Sequence, residues 1–529
     1  MRSRKYAAST PRPTVFAEGG QRAPSTTLGL RVSHPDQYPL LTGTALFSAL
    51  VLFLTAVQFA TPNLVGNDGY YHIKMAYLMR TEGWRLPFDW LALTVLNADR
   101  FVDHHFLFHV LLIPFTFGDL RLGAKMASVL FPAVAFLSFW WLLRRQRVPY
   151  AALWTAGLLV VSEAFIYRMS MPRAQSLSLA ALIVAWHWLL TGRHRRLVPL
   201  AFFYVWLYNG FPMILLVAGA YGVARWLSDG QLEWRPLAYV GLGVALGLLI
   251  HPYFPNNLLF IYHHLGPKVL NPTAPGVGSE WYPYKTTQLL ENSGLALIAF
   301  LSGILALGLH DRRMDAPTAT GLLLTLLFGF MLFKSRRFVE YFPAFALAFA
   351  ALAWSPLIRR WEAQGHRWRH RISIGLMGAI LLLTLPSNLQ ASRESLQRSK
   401  PYERYAEAAA WLQAHTPAGS RVFQTDWDDF PRLFFYNTHN TYIVGLDPTY
   451  MQRYDAELYD LWVEITQGRV ERPSQVISER FGAHYVFTDL AHKAFLEKAA
   501  EDPNLVEVYR DDDAVIFQVT AGSSASGSG

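Results

Sequence analysis

Long apolar runs separated by short polar stretches recur through most of this chain. That pattern restricts it to a bundle of membrane-crossing helices, because only helices and closed barrels satisfy their backbone groups inside lipid. The runs are about 16 to 22 residues long, the length a helix needs to cross a bilayer. Composition agrees: 52% of residues are hydrophobic and 16% are charged, against about 25% charge in a typical soluble domain. Aromatic residues reach 15% and cluster at run ends, as in Phe139-Trp140-Trp141, where membrane–water interfaces favour them. About eleven transmembrane helices are expected, near 40–60, 123–143, 150–167, 176–191, 197–208, 212–227, 236–250, 289–309, 316–333, 341–357 and 372–386. The run Phe106–Phe117 is too short for an ordinary span and reads as a short helix lying at the outer surface.

Lys and Arg set the expected orientation. The basic N-terminus, residues 1–38, reads as a disordered cytoplasmic segment, with no cleavable signal peptide. Basic clusters at Arg144–Arg147, Arg193–Arg196, Arg225–Arg235, Arg312-Arg313 and Arg359–Arg371 then fall in cytoplasmic loops. The net charge of +9 is distributed among these short clusters, which argues against nucleic acid as a partner. With no Cys, disulfides, thiolate metal sites and Cys nucleophiles are excluded. A transmembrane domain over 39–390 and an extracytoplasmic domain over 391–521 are expected, with a Gly/Ser linker at 522–529. The expected location is a multi-pass protein of a bacterial inner membrane, its C-terminal domain periplasmic or extracellular.

Four cations break the orientation pattern by falling on the outer side: Arg168, Arg173, Arg336 and Arg337. Ionisable residues near membrane depth suggest a functional site. The plainer reading makes them interfacial anchors or ion pairs, such as Arg337 with Glu340.

From about Lys400 the pattern changes. An amphipathic helix over Tyr405–Ala414 ends at Thr416-Pro417-Ala418-Gly419, and strands are expected at Arg421–Thr425, Thr441–Val444 and His484–Thr488. A hairpin around Asp511-Asp512-Asp513 follows, so the C-terminal part reads as a small α/β domain on the outer face.

The residues suited to chemistry lie in the expected outer loops. A long polar loop, Thr61 to about His105, contains Gly66-Asn67-Asp68-Gly69, which places a carboxylate at the membrane surface; the same letters also make an ordinary turn. Asp103-His104-His105 offers oxygen and imidazole donors to a divalent metal, or an Asp helix cap with two polar histidines. The loop from His251 to Lys285 is long and rich in Pro and Gly, the character of a mobile lid, and carries Gly278-Ser279-Glu280. In the C-terminal domain, Asp426-Trp427-Asp428-Asp429-Phe430-Pro431 follows the first expected strand as a binding ledge or a capped turn.

In this order the pieces resemble the GT-C superfamily of lipid-donor glycosyltransferases, and within it the catalytic subunit of oligosaccharyltransferase. Asp68 matches the family's first-loop Asp, and Asp103-His104-His105 resembles its second acidic motif. Gly278-Ser279-Glu280 resembles its mobile-loop motif, and Arg336 or Arg337 matches its outer Arg. The frame from Ala410-Trp411-Leu412 through Thr416-Pro417 to Asp426-Trp427-Asp428-Asp429-Phe430 is similar to the opening of its soluble domain, with altered letters. The resemblance implies an inverting transfer of a sugar or glycan from a polyprenyl phosphate or pyrophosphate donor. It implies catalytic roles for Asp68, Asp103 and Glu280. A divalent ion, Mg or Mn, is expected on Asp68, Asp103, His104 and His105. Donor phosphate is expected on Arg336, Arg337 and Arg173, and acceptor on Trp427 and Asp428. The acceptor class is a glycan, lipid or protein. The altered soluble motif predicts one other than an Asn-x-Ser/Thr sequon, so protein N-oligosaccharyltransfer is the alternative. A multi-pass transporter or a lipid-binding scaffold is the alternative of another class.

Overall fold

The computed structural model describes residues 39–270, 279–309, 313–365 and 367–520. Among the described residues six helices are long and apolar enough to cross a membrane: Leu40–Gln58, Leu120–Arg145, Thr286–Gly308, Ala316–Lys334, Phe342–Ala363 and Arg371–Gln397. They coincide with six of the eleven expected spans. The other five are shorter, bent or less apolar. One, Ala151–Leu159 with Glu163–Met169, bends by 85° at a break. Ser162 makes that break, because its Oγ accepts from Phe165 N at 3.0 Å and starts a new helix. The rest are Gln175–Leu190, Leu197–Leu207, Pro212–Asp229 and Arg235–Leu249. Gln175–Leu190 is largely buried among its neighbours, whereas Pro212–Asp229 and Arg235–Leu249 leave Leu216, Trp226, Leu237 and Leu242 exposed, an apolar surface of the kind lipid covers.

Two expected irregular regions contain helix. The polar stretch after the first span holds the helix Asp68–Glu82, and the His251–Lys285 loop holds Asn256–Leu270 and a short 3-10 turn at Ser279–Trp281. Residues 271–278 of that loop lie outside the described residues. The last long helix runs through Pro386 to Gln397, beyond the expected end of the span. Phe106–Leu112, extended by a 3-10 turn to Thr116, is short as expected.

The C-terminal part is a five-stranded sheet of order β2-β1-β3-β5-β4, with β1 at Arg421–Gln424, β2 at Thr441–Tyr442, β3 at Tyr485–Asp489, β4 at Leu505–Arg510 and β5 at Ala514–Val519. β1 pairs in parallel with β2 and β3, and the expected hairpin β4–β5 is antiparallel, with β5 also antiparallel to β3. Helices fill the connections, as parallel strands require.

This domain is locked to the helical bundle through the first loop. Helix Phe430–Tyr436 lies on helix Asp68–Glu82, with the Tyr71 and Phe434 rings 5.7 Å apart. Trp90 Nε1 donates to Thr438 O at 2.8 Å, Tyr442 N donates to Trp90 O at 2.8 Å, and Val95 N donates to Tyr450 O at 3.1 Å. One apolar core runs across the junction, joining Leu78, Phe88 and Leu96 to Val422, Phe487 and Ile516. A shared core of this kind fixes the domain against the bundle rather than leaving it a tethered accessory.

Candidate active site

The site gathers where the start of helix Asp68–Glu82 meets the segment between Met169 and Gln175. Gly66 adopts φ +74°, a left-handed conformation that glycine takes without penalty, and this turns the chain into the helix. Gly69 lies against Pro172 so closely that a Cβ there would stand 2.1 Å from Pro172 Cγ. That contact brings Asp68 beside Arg173, whose Nη2 is 2.6 Å from Asp68 Oδ2.

Arg173 is one of three arginines that close on a single carboxylate. Glu280 Oε2 is 3.2 Å from Arg173 Nη1 and 2.9 Å from Arg168 Nη1, while Glu280 Oε1 is 2.5 Å from Arg337 Nη1. Arg168 also pairs with Glu340, its Nε at 2.6 Å from Oε1. Arg337 donates to Tyr208 Oη at 3.1 Å and lies over the Trp281 ring at 5.1 Å. Ser335 Oγ donates to Glu280 O at 3.0 Å and fixes the turn that carries the carboxylate. Burial works against ionisation of Glu280, but Arg337, Arg168 and Arg173 outweigh it and hold the carboxyl well below its ordinary range.

Arg336 is not in this clasp. Its backbone N and Nε donate to Tyr282 O at 3.0 and 3.3 Å, its Nη2 donates to Pro283 O, and its guanidinium lies over Tyr284. Adjacent residues on a short 3-10 turn point in different directions, so of the expected pair only Arg337 faces Glu280. Arg168, not Arg336, is the third guanidinium on Glu280. Glu340, expected as an ion-pair partner of Arg337, bonds Arg168.

The expected metal ligands are engaged otherwise. Among the described residues no group of three or more His, Asp or Glu side chains converges in a way that holds a metal ion. Asp68 pairs with Arg173. Asp103 Oδ1 accepts from His105 N at 3.0 Å, and Oδ2 accepts from His109 Nδ1 at 2.7 Å. His109 Nε2 is in turn 2.8 Å from His72 Nδ1, giving a buried Asp103–His109–His72 chain. Burial alone would raise the Asp103 carboxyl, but the neighbouring His109 holds it below its usual range. His104 stacks on Phe260 with ring centres 4.7 Å apart, and the His105 ring lies 5.0 Å from His72 and 5.7 Å from Tyr208. The donor set fits an imidazole chain anchored on a carboxylate, not a shared ion on Asp68, Asp103, His104 and His105.

Trp427 and Asp428 lie on a 3-10 turn, Trp427–Asp429, opened by Asp426 Oδ1 accepting from Asp428 N at 3.0 Å. Asp428 Oδ2 accepts from Asn67 Nδ2 at 2.6 Å, so the C-terminal domain reaches the residue next to Asp68. Burial, then the nearby Asp68 and Asp426 charges, push the Asp428 carboxyl up to about 7. Burial and the charges of Asp426 and Asp489 push Asp429 up to about 8.

No protein-family model and no curated protein sequence matches the chain. Solved structures do match it in fold. Archaeal oligosaccharyltransferase AglB from Archaeoglobus fulgidus, in complex with an inhibitory peptide and a dolichol-phosphate, aligns at 13% identity and TM-score 0.62 over 92% of this chain and 74% of that one. ArnT from Cupriavidus metallidurans, bound to undecaprenyl phosphate, aligns at 15% identity and TM-score 0.55 over 90% and 98%. Arabinofuranosyltransferase AftD from Mycobacteria aligns at 14% identity and TM-score 0.51 over 91% of this chain and 40% of that one. The Archaeoglobus oligosaccharyltransferase is also solved in complex with Zn and sulfate. All three proteins are GT-C glycosyltransferases, and this chain has their fold.

Proposed function

We propose that this protein is a membrane glycosyltransferase that moves a sugar from a polyprenyl phosphate donor to a hydroxyl acceptor, with inversion at the sugar carbon. The observation that carries this reading is the convergence of Arg168, Arg173 and Arg337 on one carboxylate oxygen pair beside Asp68. Three guanidiniums around one anion form a phosphate site, since each offers planar, always-charged donors. Glu280 stands where a donor phosphate would bind. The polyprenyl donor class is further supported by ArnT, a protein of the same fold bound to undecaprenyl phosphate.

In the proposed reaction Asp68 accepts the proton of the acceptor hydroxyl. The acceptor oxygen forms its bond to the sugar carbon as the bond from that carbon to the phosphate oxygen breaks. The lipid phosphate leaves with the bonding electrons, and Arg168, Arg173 and Arg337 stabilise its growing charge. The site faces away from the cytoplasm in this reading. Helix Gln175–Leu190 supports that, since it begins two residues after Arg173 and ends just before the basic cluster Arg193–Arg196.

Binding of undecaprenyl phosphate to the purified chain tests the phosphate site. Glu280→Gln removes the anion that the phosphate must displace and leaves the three arginines in place. Its Kd for undecaprenyl phosphate is expected to fall about tenfold, a gain near 1.4 kcal/mol. An unchanged or weaker Kd contradicts displacement of Glu280. Wild-type chain that binds this lipid phosphate but never transfers a sugar from a polyprenyl phosphate that carries one points instead to a transporter or lipid scaffold.

For the acceptor, Trp427 offers an apolar face on which a sugar ring can lie, and Asp426 offers an oxygen to its hydroxyls. That combination favours a glycan or glycolipid. Supplied with a polyprenyl-linked sugar, the chain is expected to label a glycan acceptor and to leave an Asn-x-Ser/Thr peptide essentially unlabelled. Efficient labelling of the peptide Asn restores protein N-oligosaccharyltransfer.

A further inference from the structure

Asn67 occupies the N-cap position of helix Asp68–Glu82, where an Asn ordinarily turns its side chain onto the helix's first N–H groups. Here it makes no such bond, and its backbone is already helical at φ −91°, ψ −36°. Its amide is filled from the C-terminal domain instead. Nδ2 donates to Asp428 Oδ2 at 2.6 Å and to Asp428 O at 3.2 Å, and Oδ1 accepts from Arg432 Nε at 3.0 Å. Both N–H groups and the carbonyl oxygen are thus engaged.

Arg432 is itself 1% exposed, an extreme degree of burial for an arginine. Its Nη1 donates to Pro401 O at 2.7 Å, and its guanidinium lies 4.3 Å over the ring of Tyr70, two residues beyond Asp68. Tyr70 also stacks on Tyr402 and meets Phe435 edge-on. One buried cation therefore ties the start of helix Asp68–Glu82 to helix Phe430–Tyr436 and to the chain entering the sheet domain. A buried arginine ordinarily faces a carboxylate; among the described residues Arg432 donates instead to the Asn67 amide and to the backbone carbonyls of Lys400, Pro401 and Tyr402.

We propose that Asp428 and Arg432 are positioning residues that hold Asn67 by its amide and so aim Asp68 at Arg173 and at the acceptor. This rests on the reading of Asp68 as the group that acts in transfer, and it assigns Asp428 to that task rather than to direct acceptor contact. Without the clamp, nothing ties the chain at Asn67 to the C-terminal domain, the backbone at Asp68 rotates, and the carboxylate leaves Arg173.

The chain has no Cys, so a single thiol can report on this directly. Asp68→Cys places a thiol beside Arg173 at a helix N-terminus, and both features lower a thiol pKa from its ordinary value near 8.5. The pH profile of its alkylation by iodoacetamide gives that pKa in the full-length protein. Asn67→Ala, Asp428→Ala and Arg432→Gln, each added to Asp68→Cys, are expected to shift the profile upward by about one unit, toward that of Arg173→Gln with Asp68→Cys. Asp428→Asn keeps an oxygen that accepts from Asn67 and is expected to keep the profile. If Arg432→Gln does not fold, Asn67→Ala and Asp428→Ala carry the test. A profile unmoved by these two overturns the proposal, as does an equal shift for Asp428→Asn and Asp428→Ala. None of these readouts depends on turnover; full transfer by Asp68→Asn would remove the function assigned to Asp68 while leaving the alkylation result standing.

Discussion

Arg337→Gln is expected to weaken undecaprenyl phosphate binding by about 10²-fold, whereas Arg336→Gln changes it by less than about threefold. The two residues are adjacent, carry the same charge and break the Lys/Arg orientation pattern equally, so sequence alone ranks them together. Their surroundings differ. Arg337 directs Nη1 at Glu280 and Nη2 at Tyr208 Oη inside the three-arginine clasp. Removing one partner from a buried, hydrogen-bonded charge pair costs about 2–5 kcal/mol, which brackets a hundredfold loss. Arg336 bonds carbonyls of the loop and covers Tyr284, and an exposed contact of that kind contributes little. Equilibrium binding for both variants, with thermal unfolding to verify that each is folded, decides the matter. Equal losses would return the phosphate site to the pair as a unit. Arg168→Gln is expected to behave like Arg337→Gln, with an added loss of stability from Glu340, which it would leave buried and unpaired.

The fold was legible from sequence where physics writes a long signal. A membrane-spanning helix needs a run of apolar residues too long to arise inside a small soluble domain, and the six long helices lie where such runs are. The helices Gln175–Leu190, Leu197–Leu207 and Arg235–Leu249 carry the same composition over fewer residues, and the length signal fades with them. Arg173, Arg337 and Glu280 were legible because each stood out locally, two as misplaced cations and one as an acid in a long loop. Arg168 stood out by the same rule, but its position near the end of a short helix equally suits an anchor. The imidazole chain was not legible. Asp103 has His104 and His105 beside it, yet its carboxylate meets His109, and the next link, His72, lies 37 residues away from His109 on a helix whose polar sequence reads as loop. Neighbours in sequence are not neighbours in space here; on a helix, side chains meet at spacings of three or four. The Asn67–Arg432 clamp had no sequence signal at all, since it joins positions 365 residues apart.

Asp68→Asn is expected to lower the rate of sugar transfer by about 10²–10⁴-fold, the range over which a positioned base contributes, while undecaprenyl phosphate binding changes by less than about threefold. The carboxylate is suited to meeting an acceptor because about a third of its side chain, 32%, is exposed, while its Oδ2 is fixed on Arg173 at 2.6 Å. Asn keeps the size and one oxygen for Arg173 but cannot take a proton, so the loss should appear in kcat and equally in kcat/KM rather than in KM. Donor binding survives because Arg173 retains its second contact to the clasp, and Arg168 and Arg337 do not touch Asp68. The rival account makes Asp68 only a first-turn carboxylate that offsets the positive end of its helix. A group of that kind is worth about 0.3–1 kcal/mol of stability and nothing to turnover. The two accounts separate cleanly in one experiment. Steady-state transfer and thermal unfolding are measured together on the wild type, Asp68→Asn and Asp68→Glu. A lost rate with an unchanged Tm, partly recovered in Asp68→Glu, is the outcome a proton acceptor requires. A small drop in Tm with full turnover in Asp68→Asn would leave the carboxylate as helix chemistry and move the search for the base elsewhere, first to His72 at the end of the Asp103–His109 chain.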